Sequence, residues 1–419
     1  MITRIEIDGF KSFQDFALDL PPFLVLIGTN ASGKSNLLDA LTFVATAATR
    51  GVDATVTEVR GDARGLFRRR GDGTRVDRMS FAVEFLLPES DVKHRHWRYE
   101  LGLAWAEPQG ALEGINVEDQ RLLPVPLRED RPVVRTPAPE RDPRSVLPPL
   151  AESMGSLAPL EISEGLSNEE RATLREVRRE LKEVRSLHLE AGSLRRASEI
   201  GGPRRMESTG RNLPNHLRSL ARETASENRP LGVVGEIKMH LVGLVREISD
   251  FEIVEDERRR DVRLEFSSPY DEGLDAESAS DGTLRMLAVL AALHDRGTLA
   301  VEEPENGVFP ERLRQLLDLA RGLVTDLPEP SQPGEKGGAP FGRQVVFTSH
   351  SPVVLDVVPR ANIAFLDMTT LIEGGVASRV SRVRRLREGG GPVRVEEERW
   401  PRITESELDR FRTGVEEPV

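Results

Sequence analysis

The residues of this chain best suited to chemistry on phosphates lie near its start, in Gly28-Thr29-Asn30-Ala31-Ser32-Gly33-Lys34-Ser35-Asn36. Glycines at the first and sixth positions let the backbone curl so that successive N–H groups face phosphate oxygens, and a helix starting there adds its positive end. In such a loop Lys34 reaches the β- and γ-phosphates and Ser35 ligates Mg²⁺. Lysine is scarce: Lys11, Lys34, Lys93, Lys182, Lys238 and Lys336 are the only six of 58 basic residues that are not arginine. One of them stands where a compact point charge is needed.

Three further constellations suit the other half of such chemistry. Thr298-Leu299-Ala300-Val301 reads as a short apolar strand that delivers Glu302-Glu303-Pro304-Glu305-Asn306. There Glu302 suits a metal, held through water, and Glu303 suits a base that orients and deprotonates an attacking water. Ser280-Asp281-Gly282-Thr283 runs into Leu284-Arg285-Met286-Leu287, a helix for which Ser280 is a natural cap and whose start is a second anion site. Gln344-Val345-Val346-Phe347-Thr348-Ser349-His350 is a strand ending in a histidine able to donate to a γ-phosphate. Each has a plainer reading as a glycine turn, an acidic surface turn or a structural histidine.

The elements that must position these groups are legible in outline. Residues 2–7, 16–20 and 23–27 pattern as strands, with Gly9-Phe10-Lys11-Ser12-Phe13 as a turn and the last run continuously apolar, as in a buried strand. Segments 81–87 and 97–103 alternate as antiparallel strands. Ser167-Asn168-Glu169-Glu170 opens a capped helix with Leu174, Val177, Leu181 and Val184 on one face. Helices are also expected from Asn212 and over 233–248, and strands around Phe251–Val254 and Val262–Phe266. Gly61–Arg75 reads as a mobile loop, 124–159 as a proline-rich surface excursion and 327–342 as a flexible loop. These patterns predict an α/β fold. The expected organisation is a first core part over 1–123, an excursion and helical insert over 124–232, a second core part over 233–370 and a charged tail over 371–419.

Bulk composition removes several functions. There is no cysteine, so disulfides and thiolate chemistry are excluded, and the seven histidines form no zinc-hydrolase spacing. A net charge of −12 argues against a nucleic-acid coat, although Arg68–Arg70, Arg258–Arg260 and Arg382–Arg387 could each line a local groove. No membrane span or signal segment is visible, and the expected compartment is the cytoplasm.

Taken in order, the phosphate loop, Ser280-Asp281-Gly282-Thr283, Glu302-Glu303-Pro304-Glu305-Asn306 and Thr348-Ser349-His350-Ser351-Pro352 resemble the ABC-type ATPase heads of the RecF, SMC and OLD lineage. The resemblance covers roughly 1–50 and 205–370. It implies a two-lobed P-loop head with a mixed sheet and a helical lobe, using ATP and Mg²⁺. It also implies a homodimer with ATP sandwiched between the P-loop of one copy and Ser280, Asp281, Gly282 and Thr283 of the other. Glu303 is then the catalytic base, Lys34 and His350 act on the γ-phosphate, and Ser35 and Glu302 hold the metal. Asp281 and Glu302 depart from the commoner glycine and aspartate. No glutamine can be placed in the Q-loop, for which Gln120 is a candidate. The span between Ser35 and Ser280 is too short for SMC arms and no nuclease follows the core, so a separate nuclease or DNA is the expected partner, in repair or anti-phage defence. A nucleotide-dependent scaffold with little hydrolysis is the alternative, and a transporter ATPase fits poorly.

Overall fold

A computed structural model describes residues 1–87, 96–107, 114–125, 157, 166–324, 342–386 and 403–413. The chain divides into two compact units, the first comprising Met1–Val184, Thr325–Gln344 and Pro359–Val419, the second Arg185–Val324 and Val345–Val358.

Unit 1 begins with β1 (Ile2–Asp8), β2 (Phe16–Asp19), β3 (Phe23–Gly28), α1 (Lys34–Arg50), α2 (Thr55–Glu58), β4 (Arg78–Leu86), β5 (His96–Trp105), β6 (Ile115–Pro124) and α3 (Asn168–Lys182). Five of these strands form an antiparallel sheet in the order β2-β1-β4-β5-β6. Every residue of β3 is buried, as its unbroken apolar sequence requires. Phe43 of α1 stacks on Phe81 of β4 at 5.0 Å and meets Phe10 at 5.7 Å, fastening the helix that carries Lys34 to the antiparallel sheet. On α3, Ser167 and Glu170 form the reciprocal capping box expected from their spacing, and Thr173, Leu174, Val177 and Leu181 are buried.

Unit 2 contains β7 (Arg185–Leu187), α4 (Ala191–Leu194), β8 (Ser198–Glu199), α5 (Leu213–Thr224), α6 (Val234–Leu244), β9 (Asp250–Asp256), β10 (Asp261–Ser267), β11 (Leu274–Asp275), α7 (Asp281–Leu293), β12 (Gly297–Glu302) and α8 (Pro310–Leu323). To these it adds β13 (Arg343–Ser349) from Val345 onward and α9 (Val354–Val357). β12 lies between β13 and β7, and β10 pairs with β8, β9 and β11 in a small antiparallel sheet. The chain then returns to unit 1 as β14 (Ile363–Glu373), β15 (Val376–Arg385) and α10 (Glu405–Thr413). β14 runs parallel to β3 and antiparallel to β15. The charged stretch after Asp367, which composition marks only as a tail, therefore begins as a ten-rung hairpin. Val380 and Val383, on opposite faces of β15, are both buried, while Arg379 and Arg385 are exposed.

One loop expectation is corrected. Gly61–Arg75 is a packed hairpin, with Leu66, Phe67 and Arg68 buried and Arg69 bridged to Arg75. Arg75 donates to the carbonyls of Gly65 (3.0 Å) and Phe67 (2.6 Å), and the Arg64 guanidinium sits over the rings of Phe67 and Trp105. Arginine side chains here satisfy backbone carbonyls that a ladder would otherwise satisfy, so a Gly- and Arg-rich composition conceals an ordered segment. The excursion over 124–159 lies outside the described residues except Pro124, Val125 and Leu157, and the loop over 327–342 except Gly342.

Charge ladders cross the unit 1 sheet. Glu6 accepts from Arg4 (2.7 Å) and Arg98 (2.6 Å), and Arg98 also bonds Glu84 and Glu100. Burial alone would raise the Glu6 carboxyl, but the hydrogen bonds from Arg98 and Arg4 outweigh it and bring its pKa down to about 2. Because the folded value is the lower one, the contribution is complete above the unfolded value near 4.5 and is lost as pH falls from there toward 2. Discounted for screening at a carboxylate about a third exposed, it amounts to roughly 1–2 kcal/mol. Denaturation of wild type and Glu6→Gln across this window is expected to show a stability gap at neutral pH that closes by about pH 2. A gap that stays constant with pH would refute the assignment.

Candidate functional site

In unit 1 the phosphate loop joins β3 to α1. Gly33 precedes the helix with φ 101°, and a Cβ there would lie 2.1 Å from Ser381 Oγ, so both the backbone angle and the space demand glycine. Ala31 is also left-handed, with φ 58°. The 17-residue helix has no side-chain cap and no acid in its first turn. An uncapped, acid-free helix start behind a curled loop is a cradle for anionic oxygens, so the residues present fit a polyphosphate. Lys34 is buried, its ammonium donating to the carbonyls of Gly28 (2.9 Å) and Thr29 (2.8 Å). That places the charge on the loop's own rim.

Residues not singled out by motif brace this loop. Ser381 of β15 donates to Ser32 O (2.8 Å), its Oγ lies 2.7 Å from Ser12 Oγ, and Asn36 donates to Ser12 Oγ (2.8 Å). Lys11 donates to Asp39 (2.6 Å) and to Arg60 O (2.8 Å), while Arg60 reaches Asp39 (3.2 Å) and Ser35 O (3.3 Å). Burial draws the Lys11 ammonium below the usual lysine range despite its bond to Asp39. Lys11 and Ser12 had a signal, a scarce lysine inside a Gly-Phe-Lys-Ser-Phe turn. Ser381 and Arg60 had none.

In unit 2, Glu302 ends β12 and Glu303 begins the turn after it. Glu303 has φ 45°, a strained conformation for a non-glycine residue, held by its N–H donating to Thr348 O (3.1 Å) and Oγ1 (3.2 Å). Its carboxylate meets His350 Nε2 at 2.9 Å and accepts from Asn306 Nδ2 at 2.8 Å. Glu305 accepts from the His350 backbone (2.7 Å) and from Ser349 Oγ (2.8 Å), which fixes the end of β13. The fold of this unit therefore brings Glu303 and His350 into contact, each about one-third exposed.

A second histidine was missed by motif reading. β7 runs parallel to β12 with Leu187 opposite Val301, so the residues that follow, His188 and Glu302, emerge together. His188 Nδ1 lies 2.5 Å from Glu302 Oε2. Arg185, at the start of β7, pairs with Asp295, which also meets His216 Nε2 at 3.1 Å. Burial would raise the Asp295 carboxyl, but His216 and Arg185 overcome it and lower the pKa, anchoring the strand that presents His188. Nothing in a lone Leu-His-Leu sequence marks this role. Only the register does.

The start of α7 is as expected from sequence: Ser280 caps it, accepting from Thr283 N at 3.1 Å, and Ser280 is exposed. Asp281 is paired with Arg195, which also donates to Ala279 O (3.0 Å). Gly282 is buried, and a Cβ on it would come within 2.3 Å of Gly307 O, so the glycine is required by close approach of the turn after Glu305. Arg285, one turn on, lies in the field of Asp281, Glu303 and Glu305, although burial leaves its pKa lowered. Gln120 does not serve the site as a Q-loop residue. It is buried on β6 and donates to Tyr99 OH at 2.9 Å, a core pair in the antiparallel sheet of unit 1.

Lys34 and Ser35 thus belong to unit 1, and Ser280, Glu302, Glu303 and His350 to unit 2. Among the described residues the longest helix is α1, with 17 residues, and no helix is long and apolar enough to cross a membrane. A coiled-coil arm is likewise absent from those residues.

Comparisons with known proteins agree with this architecture. A family model described as "AAA domain, putative AbiEii toxin, Type IV TA system" matches residues 23–356. A segment of 44 residues is 48% identical to the chromosome partition protein Smc of Methanocaldococcus jannaschii, taking in 10% of this chain and 4% of that protein. The structure of an Smc head bound to the C-winged helix domain of ScpA superposes with a TM-score of 0.50 at 11% identity, over 91% of this chain and 97% of that one. An Smc head with an extended coiled coil, bound to the C-terminal domain of ScpA from Pyrococcus furiosus, gives 0.46 at 12% identity, over 91% and 96%. With most of its length inside the family match, the chain belongs to this AAA-domain, AbiEii-like family and is an ATPase built on the fold of an SMC head.

Proposed function

We propose that this ATPase is a nucleotide-gated clamp: two copies close around ATP, and hydrolysis reopens them to control engagement of DNA or of a separate nuclease in repair or anti-phage defence. The observation that carries the reading is the exposed Ser280 at the start of a 13-residue helix, with the neighbouring Asp281 neutralised by Arg195. An anion-receptive helix end turned to solvent acquires a phosphate when a second copy delivers one, and a two-fold pair completes two such sites at once. Loss of the γ-phosphate then removes the shared contact.

In this reading Gly28 to Asn36 grip the triphosphate, with Lys34 leaving its carbonyl partners for phosphate oxygens. Ser35 of unit 1 offers a hydroxyl and Glu302 of unit 2 a carboxylate, each a hard oxygen donor of the kind Mg²⁺ prefers, and the ion would neutralise charge on the β- and γ-phosphates. Glu303 takes the proton of the attacking water, aimed by Asn306, while His350 exchanges Glu303 for the γ-phosphate. Ser280, Asp281, Gly282 and Thr283 complete the partner copy's pocket.

Mass in solution tests the clamp. Glu303→Gln with ATP is expected to run as a dimer and without nucleotide as a monomer, and adding Ser280→Arg should abolish the dimer. A monomer under ATP saturation would sink the proposal.

His188 is expected to position Glu302. His188→Ala should weaken Mg²⁺ binding about tenfold, as loss of a carboxylate's orienting partner does, and His188→Gln should recover part of it. Calorimetric Mg²⁺ titration of the nucleotide complex reads this directly, and unchanged affinity in His188→Ala would dismiss the role. The same bond favours a second reading. With Glu302 engaged by His188 and Glu303 by His350, the resting state suits a scaffold that binds nucleotide and hydrolyses it little.

A further inference from the structure

Three arginine runs mark this acidic chain, and the fold treats them differently. Arg68 is buried against Glu373, and the exposed Arg69 and Arg70 are flanked by Asp72. Arg382 and Arg384 pair with Asp367, Arg384 also with Glu407, and Arg385 with Asp19. Arg258, Arg259 and Arg260 instead stand exposed at the tip of the β9–β10 hairpin in unit 2. Asp256 shapes this tip by accepting from the backbones of Arg258 (2.9 Å) and Arg259 (3.0 Å), and it lies 3.7 Å from the Arg259 guanidinium. Glu257 is exposed beside them.

A second arginine loop is tied to the first. Ile200 donates to Arg260 O at 2.9 Å, continuing the pairing of β8 with β10, and the chain then carries Arg204 and Arg205, both exposed. The buried Asn212 fixes this loop through Pro203 O (2.8 Å), Arg205 O (2.6 Å) and Glu207 N (2.7 Å). Five exposed arginines therefore stand on two adjoining loops whose backbones are already ordered.

The surface chemistry selects among polyanions. The exposed large hydrophobic residues among those described are Leu231, Met239, Val242, Tyr270, Phe309 and Ile372, and none lies in these loops. Protein interfaces are apolar and charge-depleted at their centre, and single strands are held by aromatic stacking. A duplex backbone needs neither, only cations at fixed places. Since the chain as a whole carries −12, favourable contact is confined to such a patch.

We propose that Arg204, Arg205, Arg258, Arg259 and Arg260 form a contact surface for the phosphate backbone of double-stranded DNA, without base specificity. The contact itself is independent of nucleotide; only what it would regulate rests on the clamp reading above.

The test is anisotropy of a labelled duplex with the full chain across a salt series, for wild type, Arg204→Ala/Arg205→Ala and Arg258→Ala/Arg259→Ala/Arg260→Ala. Wild type is expected to show a log–log salt slope of about −4, falling to about −2 in the triple variant, with affinity at about 0.15 M salt reduced at least tenfold. A triple Arg→Lys variant, which keeps the charges, should bind like wild type and so separates charge from folding. Wild-type affinity and slope in both alanine variants would overturn the surface, as would no binding of duplex by wild type or equal competition by polyglutamate. Loss of binding in the alanine variants keeps the surface with or without ATP, whereas a monomer under ATP in the mass measurement overturns the clamp alone. ATP-dependent binding that ignores both loops would overturn the surface alone.

Discussion

Glu303→Gln is expected to lower ATP turnover by about two to three orders of magnitude while leaving nucleotide binding intact. The amide keeps the size of the carboxylate and can still meet Asn306 and His350, so the strained turn at φ 45° and its Thr348 bonds should survive. What it cannot do is take a proton from water. Phosphate release and nucleotide affinity, measured on the same preparations, separate the two roles. If wild type and variant both turn over near zero, the chain is a nucleotide-dependent scaffold; if both turn over equally fast, Glu303 is not the base.

The largest stability effect is expected at Glu373, far in sequence from any motif. Arg68 is 1% exposed, its Nη2 donates to Glu373 at 2.7 Å, and its Nε and Nη1 have no hydrogen-bond partner among the described residues. Removing the carboxylate strands a buried cation, whereas removing the cation leaves an apolar pocket and a carboxylate that can turn to water. Glu373→Ala should therefore cost about 2–3 kcal/mol, below the range for a fully buried pair because Glu373 is partly exposed, and lower the melting midpoint by roughly 5 °C. Arg68→Met should cost less, and the double variant should recover most of the loss. A double variant worse than Glu373→Ala would show that Arg68 stabilises by packing and not through this pair.

Several features were legible because they depend on neighbours in sequence. The Ser167/Glu170 capping box, the Ser280 cap of α7 and the unbroken apolar run of β3 are local or periodic, so residue type and spacing suffice to predict them. The same holds for Gly33, whose left-handed backbone is part of the loop pattern itself.

Other features exist only when distant segments meet. His188 reaches Glu302 because β7 and β12 align in parallel, and Ser381 supports Ser32 from a hairpin nearly 350 residues further on. Gln120, chosen for its residue type, is instead drawn into a core hydrogen bond with Tyr99. Likewise arginines from three runs that look alike in sequence meet different ends: Arg68 is buried on Glu373, Arg382 and Arg384 are paired with Asp367, and Arg258, Arg259 and Arg260 are exposed. Local backbone preference and hydrophobic period are properties of a short window of chain, and the sequence alone determines them. Partnership of charges and strand register depends on which segments are brought together across long loops, and that only the tertiary structure decides.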